Sequence, residues 1–323
     1  MAALKILGIL GYRYAGITEA YPNIRRHSRK LADWISLGRP FTLFGAGLAG
    51  AALDMLFSHA LAWHAVLVGL ALALLQAGGQ VSNQAVAEEV EIDRINRKTY
   101  RPTVDGRIGL QSAKIFAALL FLAGLVLAFA LSPTFGFISA ILTVFAVTYT
   151  APPFRVKRHF MVNNIHQGVA RGFLPIVAVA GIYGHYTPGV FAFGLALAVW
   201  VMGAQATKDF GDEAGDAAYR IRTFPVVLGR RRAVGLMAFL MAMGFFSLNL
   251  AMAARILPAG FLMVNLLVLP SWLIVRGLGI GRVGNLYKFK FAENSASWVG
   301  FYTTMGLWYL IPGILGVLGA VAI

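Results

Sequence analysis

The chain has 323 residues, of which 59% are hydrophobic and 13% charged, and this composition excludes a soluble enzyme and indicates a protein with several membrane spans. The absence of cysteine excludes disulfides, thiolate catalysis and cysteine-based zinc sites. The net charge of +15 is explained by basic loops on one membrane face and by contact with anionic lipids, so we expect no nucleic-acid partner.

The amino-terminal segment, residues 1–35, is polar and basic, and we interpret it as a cytoplasmic arm. Residues 36–323 are then one transmembrane domain. Nine apolar runs follow in it, each near the ~20 residues that a helix needs to cross a bilayer. They cover about 41–58, 63–86, 112–132, 135–151, 165–183, 188–207, 233–254, 257–276 and 297–321. The sequence therefore predicts an all-α integral membrane protein with nine transmembrane helices.

The loops between these runs differ sharply in charge. Those after the second, fourth, sixth and eighth runs carry many Lys and Arg residues, whereas the opposite loops carry Arg255 alone. Because positively charged loops stay on the cytoplasmic side, the amino terminus and the basic loops should face the cytoplasm. An odd number of spans places the carboxyl terminus outside.

Most of the acidic residues lie in two modules, residues 83–107 and 208–230, which hold nine of the thirteen carboxylates. The modules match at an offset of 123 positions, which aligns Glu89 with Asp212 and Asp93 with Asp216. A duplicated acidic loop on a helical unit indicates one site built between two halves.

Carboxylates four residues apart lie on one face of a helix and can share a cation. Mg²⁺ prefers such oxygen ligands and shares them with phosphates. We therefore predict a Mg²⁺ site, with a solvated acidic helix end between spans as the alternative. The predicted metal ligands are Glu89, Asp93, Asp209, Asp212 and Asp216.

Cations interleaved with these carboxylates are predicted to hold the oxygens of an anion that the metal bridges. They are Arg39, Arg101, Arg155, Lys157, Lys208 and Arg222, to which we add the amides Asn83 and Asn164. For each cation taken alone, topology or lipid contact is the alternative. Arg171 lies about two turns into the fifth run, and we favour a cavity-lining position over one that snorkels to the surface.

The two modules resemble the aspartate motifs of the UbiA superfamily of intramembrane prenyltransferases. The second carries DxxxD at Asp212 and Asp216, followed by a similar RTFPVVLG run at 222–229. The first is similar over 89–96 and 100–102. Arg39-Pro40 before the first run and YTAPPFRVK at 149–157 also fit. The resemblance covers essentially residues 35–320, including the count of nine spans.

This resemblance implies a helical bundle around a central cavity that opens laterally to lipid. The two motifs would bind Mg²⁺ and an isoprenoid diphosphate, with Asp93 and Asp216 as catalytic residues. Ionisation would give an allylic carbocation, which a lipophilic acceptor, often aromatic or a quinone precursor, captures. The ring of Tyr149 is a candidate to stabilise that cation, although an interfacial tyrosine is the alternative.

The first motif departs from the NxxxDxxxD pattern of the superfamily. Counting back from Asp93 gives Glu89 where Asp is expected and Ala85 where Asn is expected. Counting forward from Asn83 instead gives NxxxAxxxE, ending at Glu91, which is similar to a branch that cyclises terpenes. A terpene cyclase is therefore the first alternative function. A membrane transporter is the second, because carriers also show internal repeats.

Overall fold

The computed structural model describes residues 22–281 and 296–323, and in these ranges every regular element is a helix. Most of the predicted arm, residues 1–21, lies outside the described residues. So do three of the predicted cytoplasmic charges, Arg282, Lys288 and Lys290. The end of the arm, by contrast, is helical, because residues 22–35 belong to the helix Pro22–Leu37.

The helices run in the following order: α1 (Pro22–Leu37), α2 (Pro40–Ser58), α3 (Trp63–Gln84), α4 (Ala87–Ile95), α5 (Leu110–Leu131), α6 (Pro133–Thr148), α7 (Val162–Gly168), α8 (Leu174–Ala180), α9 (Pro188–Ala204), α10 (Asp209–Ala218), α11 (Phe224–Ala253), α12 (Val268–Gly279) and α13 (Ala296–Val317). A π-helical turn, Val169–Phe173, joins α7 to α8. Short 3₁₀ segments cover Val156–Arg158, Gln205–Lys208 and Ala259–Leu267.

Six helical stretches in the described ranges are long and apolar enough to cross a membrane: Pro40–Ser58, Trp63–Gln84, Leu110–Leu131, Pro188–Ala218, Phe224–Ala253 and Ala259–Gly279. This confirms the prediction of an all-helical membrane fold. α6 is apolar but shorter. The remaining predicted runs, 165–183 and 297–321, coincide with the α7–α8 series and with α13. The count of nine spans stays a prediction.

One boundary differs clearly from the prediction. The run expected to begin at 233 is the helix α11, which begins at Phe224 and includes Arg230, Arg231 and Arg232. Pro225 in the first turn favours this start, because its fixed φ suits a helix amino terminus. α11 is interrupted at Gly229, whose φ of 70° and ψ of 160° are not helical. The three arginines therefore lie in the first turn of the helical segment after Gly229 instead of in a loop.

The bundle is held together by small residues and by a buried aromatic cluster. A Cβ added to Gly50 on α2 would lie 2.9 Å from the Cα of Gly69 on α3, so these backbones approach as closely as glycine allows. Elsewhere the ring of Trp200 stacks on Phe301 at 6.0 Å and lies 5.9 Å from Trp308, all three fully buried. Helices α9 and α13 are thereby fixed against each other on the inside of the bundle.

Candidate active site

A polar cavity lies at the end of the bundle where α3 leads into α4 and α9 leads into α10. Its walls come from the junction before α2, from both acidic modules and from the segment after α6. The lining residues are Arg39, Gln80, Asn83, Gln84, Glu89, Asp93, Arg101, Tyr149, Thr150, Lys157, Arg171, Gln205, Lys208, Asp212 and Trp298. Five cations face three carboxylates in this wall, so the cavity favours an anion.

The two acidic modules meet directly beside this cavity. The backbone N–H of Gly215 on α10 donates to Oδ1 of Asn96, at the end of α4, over 2.8 Å. A Cβ on Gly215 would lie 2.5 Å from Asn96 Nδ2 and 2.6 Å from the carbonyl oxygen of Ile92. Only glycine permits this approach of the two helices. The structure therefore brings together the two modules that the internal match predicted to share a site.

The backbone of the two modules repeats as well. Arg97 and Arg220 are both left-handed, with φ of 57° and 56°, and both follow an acidic helix. Gly106 and Gly229 have φ of 78° and 70°. Each pair is separated by 123 positions, the offset of the sequence match. Left-handed backbone is uncommon for residues other than glycine, so its recurrence supports a common origin for the two modules.

Lys157 links the two modules through their carboxylates. Its Nζ lies 2.8 Å from Glu89 Oε2 on α4 and 3.4 Å from Asp216 Oδ1 on α10. Burial alone would lower the pKa of this ammonium group, but the charges of Glu89 and Asp216 outweigh burial and raise it above its ordinary value. Lys157 is therefore charged across the physiological pH range.

A second bridge is formed by Lys98, which pairs with Asp212 and lies 3.8 Å from Asp93. Arg101 also pairs with Asp93. Burial alone would raise the pKa of Asp93. The positive charges of Arg101 and Lys98 together lower it by more, so the pKa lies below its ordinary value. Asp93 is therefore ionised, with a guanidinium and an ammonium group beside it.

Lys208 and Tyr149 also line the polar cavity and contact each other. Lys208 Nζ lies 2.6 Å from Asp209 Oδ1 and 5.9 Å from the centre of the Tyr149 ring. The Tyr149 hydroxyl donates to Asn163 Oδ1 over 3.0 Å. This bond fixes the ring, so that one face is turned to a cation, as cation–π contacts require.

The described residues contain no group of three His or carboxylate side chains close enough together to hold a metal ion in this conformation. The chemistry of the donors nevertheless fits Mg²⁺. Both carboxylate oxygens of Asp216 are buried without a hydrogen-bond partner among the described residues, and Lys157 at 3.4 Å is their charged neighbour. Buried acceptors normally have partners, and orphaned carboxylate oxygens are the ligands that Mg²⁺ takes.

Three predicted anion-binding residues lie away from the polar cavity. Arg155 pairs with Glu88, which also accepts from Arg158. Arg222 is exposed, and Asn164 donates to the carbonyl oxygen of Met202 over 2.8 Å. Arg155 is thus paired with a carboxylate, whereas Oδ1 of Asn164 is buried without a hydrogen-bond partner among the described residues. None of the three is among the residues that line the polar cavity. Arg39, Asn83, Arg101, Lys157 and Lys208, in contrast, all line the cavity.

The two alternative alignments of the first motif, one ending at Asp93 and one at Glu91, differ in where the structure places their carboxylates. Glu89 and Asp93 line the cavity, whereas Glu91 is exposed and pairs with Arg94 at 2.5 Å on the outer face of α4. Ala87 is exposed as well. Asn83 lies in the cavity wall, where it accepts a hydrogen bond of 2.8 Å from Thr150. The geometry thus favours Glu89 and Asp93 as the working pair of this module.

Sequence reasoning missed the cavity residues Gln205 and Trp298. It also missed Lys98, which pairs with the cavity residue Asp212. It also missed Gln80 and Gln84, although a signal for them exists. Gln76, Gln80 and Asn83 recur at helical spacing inside an apolar run, and such a polar stripe in a membrane helix indicates an interior cavity. No comparable pattern marks Lys98, whose partner Asp212 is 114 positions away.

A deeper cavity of about 110 Å³ lies next to the polar one, and the two share Gln80, Asn83, Tyr149 and Arg171 as walls. Its other lining residues are mostly apolar. They come from α2, α3, α6 and α13 and from the α7–α8 series. A charged site that continues into an apolar chamber suits an amphipathic ligand with an anionic head.

Comparison with known proteins places the chain in a family. A sequence model of the UbiA prenyltransferase family matches residues 40–310. Digeranylgeranylglyceryl phosphate synthase of Methanoculleus marisnigri is 33% identical over 232 residues, which are 71% of this chain and 78% of that protein. Homogentisate solanesyltransferase of Arabidopsis thaliana is 25% identical over 258 residues, or 73% of this chain and 67% of the relative.

Solved structures share the fold. A UbiA homolog from Archaeoglobus fulgidus, bound to DMAPP and Mg²⁺, superposes with a TM-score of 0.63 at 20% identity, covering 88% of this chain and 99% of that one. The apo structure of a UbiA homolog from Aeropyrum pernix K1 gives 0.65 at 22% identity, covering 87% and 98%. With the family match over 40–310, they lead to one conclusion: the chain is an integral, multi-pass membrane prenyltransferase that belongs to the UbiA family.

Proposed function

We propose that this protein takes an isoprenoid diphosphate and Mg²⁺ into the polar cavity and transfers the prenyl chain to a lipophilic acceptor. One observation carries the proposal. Glu89 and Asp93 from one module and Asp212 from the other line a polar cavity that shares walls with a mostly apolar one, and Lys157 links Glu89 to Asp216. The relative from Archaeoglobus fulgidus, which binds DMAPP and Mg²⁺, has the same fold.

The cations of the cavity wall are assigned to the diphosphate. Arg39, Arg101, Lys157 and Lys208 present their donors to one volume, and such groups stabilise the negative charge that grows on a departing diphosphate. Bound Mg²⁺ would supply further Lewis-acid stabilisation of the same charge. Its ligands are proposed to be Glu89, Asp93, Asp212 and Asp216, with Asp209 turned to Lys208 in this conformation.

The deeper cavity is assigned to the apolar parts of the substrates. Its mostly apolar walls exclude water, which would otherwise quench an allylic cation. Tyr149 lies in the walls of both cavities and already has an ammonium group 5.9 Å from its ring centre. We therefore propose that this ring stabilises the cationic carbon between departure and capture.

The membrane arrangement is proposed to have nine spans with the polar cavity at the cytoplasmic face. Segments from three of the basic loops line that cavity, contributing Arg101, Lys157 and Lys208. Because basic loops remain in the cytoplasm, this end of the bundle is assigned there. Three apolar runs beyond the six long stretches coincide with helices, which supports the count of nine.

Purified protein in lipid nanodiscs tests the function directly. Allylic diphosphates of several chain lengths are supplied with Mg²⁺, with and without candidate acceptors, and the organic extract is analysed. We expect Mg²⁺-dependent prenylation of a lipophilic acceptor. A cyclic hydrocarbon or terpene alcohol formed without acceptor would instead establish the cyclase alternative. The absence of any diphosphate release across the series would refute enzymatic ionisation.

A further inference from the structure

Arg171 lies at the junction between the polar cavity and the deeper cavity and lines both. It belongs to the π-helical turn Val169–Phe173, an irregularity often found at functional positions of helices. Its Nε donates to Gln167 Oε1 over 2.7 Å, and its guanidinium also donates to the Tyr302 hydroxyl. These contacts hold the planar group in one orientation at the cavity wall.

The charge of this guanidinium has no carboxylate partner in the described part of the chain. Its side-chain hydrogen-bond partners, Gln167 and Tyr302, are neutral, and it forms no salt bridge with any described residue. Among the described residues that line the deeper cavity, it is also the one that carries a charged side chain. A charge in a membrane protein interior is costly unless it is paired, so an unpaired, oriented guanidinium indicates a ligand that brings negative charge.

The groups around Arg171 are also polar, which a hydrocarbon tail alone would not need. Both ring nitrogens of His166 are buried and have no hydrogen-bond partner among the described residues, although the ring lines the deeper cavity. Tyr302 and Tyr309 occupy the same face of α13, and the Tyr309 hydroxyl donates to the carbonyl oxygen of Arg171. A polar corner with unmet hydrogen-bonding capacity is therefore built into an otherwise apolar chamber.

We propose that Arg171 determines acceptor specificity by binding an oxyanion, a phosphate or a carboxylate, on the head group of the acceptor. The inference rests on the proposed function. In that function, other cations of the polar cavity bind the diphosphate, so Arg171 is not needed for the donor. A planar guanidinium matches the two oxygens of a phosphate or carboxylate, and an ammonium group does not. Gln167 and Tyr302 are positioning residues that keep this fork turned to the chamber.

The first test measures binding in nanodiscs without Mg²⁺, donor or turnover, so it does not depend on catalysis. The probes are octyl phosphate, octyl carboxylate and octanol, which share a chain and differ in the head group. Arg171→Gln should weaken binding of both anionic probes by about 10- to 100-fold, the value of a charge-assisted bond, and leave octanol unchanged. Arg276→Gln is the matched control, because Arg276 is exposed and stacks on Trp272 instead.

Inorganic diphosphate with Mg²⁺ is the fourth probe and separates the two sources of negative charge. If Arg171→Gln weakened diphosphate as much as octyl phosphate, Arg171 would belong to the donor site and the proposal would be overturned. Unchanged binding of all anionic probes would overturn it as well. Arg171→Lys keeps the charge and provides a second variant should Arg171→Gln fold poorly, and we expect it to bind the anionic probes more weakly than wild type.

Kinetics complete the test once an acceptor is known. Arg171→Gln and Tyr302→Phe should raise the KM for an anionic acceptor and leave the KM for the isoprenoid diphosphate unchanged. A structural role alone would lower kcat with every substrate and would not distinguish an acid from its methyl ester. Loss of selectivity for the acid over the ester is the expected signature, and equal loss for both would contradict the assignment.

Discussion

Glu89→Gln and Glu91→Gln make the same chemical change two residues apart on α4, and we expect opposite outcomes. The Glu89 side chain is 14% exposed and lies 2.8 Å from Lys157 in the polar cavity. The Glu91 side chain is 48% exposed and pairs with Arg94, itself 53% exposed. The pair therefore compares a carboxylate inside the site with one outside it, on the same helix.

The structure sets the magnitudes. Removing one partner of a buried ion pair costs about 3–5 kcal/mol of stability. Because Lys157 keeps Asp216 at 3.4 Å, Glu89→Gln should fall at the lower end of that range. An exposed pair contributes about 0–1 kcal/mol, so Glu91→Gln should hardly alter stability. For activity, loss of one group that stabilises transition-state charge commonly costs about 10²–10³ in rate, which we expect for Glu89→Gln alone.

The assay follows prenyl product in the organic extract as Mg²⁺ is varied, with thermal unfolding measured on the same preparations. Ala87→Asp provides a third variant, since a working motif of Asn83, Ala87 and Glu91 would gain a carboxylate from it. Ala87 is exposed, so we expect no gain. Equal sensitivity of Glu89 and Glu91 to Gln, or a rise in activity with Ala87→Asp, would refute the assignment of Glu89 and Asp93 as the working pair.

Three further expectations follow from the site and its surroundings. Asp216→Ala should lower the transfer rate by about 10²–10³ while the protein still folds, and turnover near that of wild type would contradict its metal role. Asp93→Asn should destabilise the protein at neutral pH. Neighbouring cations hold the pKa of Asp93 in the folded protein below its ordinary value of 3.8. The stability difference between Asp93→Asn and wild type should therefore be constant above about pH 3.8 and vanish as the pH falls through the pKa of the folded state. Acid unfolding curves of both proteins would show this. The chain has no cysteine, so single cysteines at Thr99, Ala218 and Ala60 can be labelled selectively. An impermeant reagent should reach the first two from the cytoplasmic side and the third from the other, and labelling of Thr99 and Ala218 from opposite sides would refute the shared face.

The sequence predicts well those features that depend on local spacing. Apolar runs of bilayer length predict the helices, and carboxylates four apart predict that Glu89 and Asp93 share a face. The sequence also predicts that Arg171 lines a cavity, because a charged side chain within an apolar run is costly in contact with lipid, and Arg171 does line the deeper cavity. In each case the information lies within a few turns of one helix.

Features that depend on partners far along the chain were not predictable in the same way. The bridge from Lys98 to Asp212 joins two modules, and nothing local distinguishes Lys98 from the neighbouring basic residues. Arg222 lies in a motif-like run, yet its side chain is exposed. It follows the left-handed residue Arg220, and position in a motif does not determine the direction of a side chain after such a turn. Ion-pair partners and side-chain direction are set by packing between elements, and a single sequence does not encode them by spacing.

The contact between Gly215 and Asn96 sets the distance between the two helices that carry the carboxylates of the site. Gly215 has no ionisable group, yet it lies on the same short helix as Asp212 and Asp216, and its missing side chain lets α10 rest on the end of α4. Any larger residue would wedge the helices apart and stretch the reach from Lys98 to Asp212 and from Lys157 to Asp216. The distance between the carboxylates of the two modules therefore depends on Gly215, a residue that has no side chain.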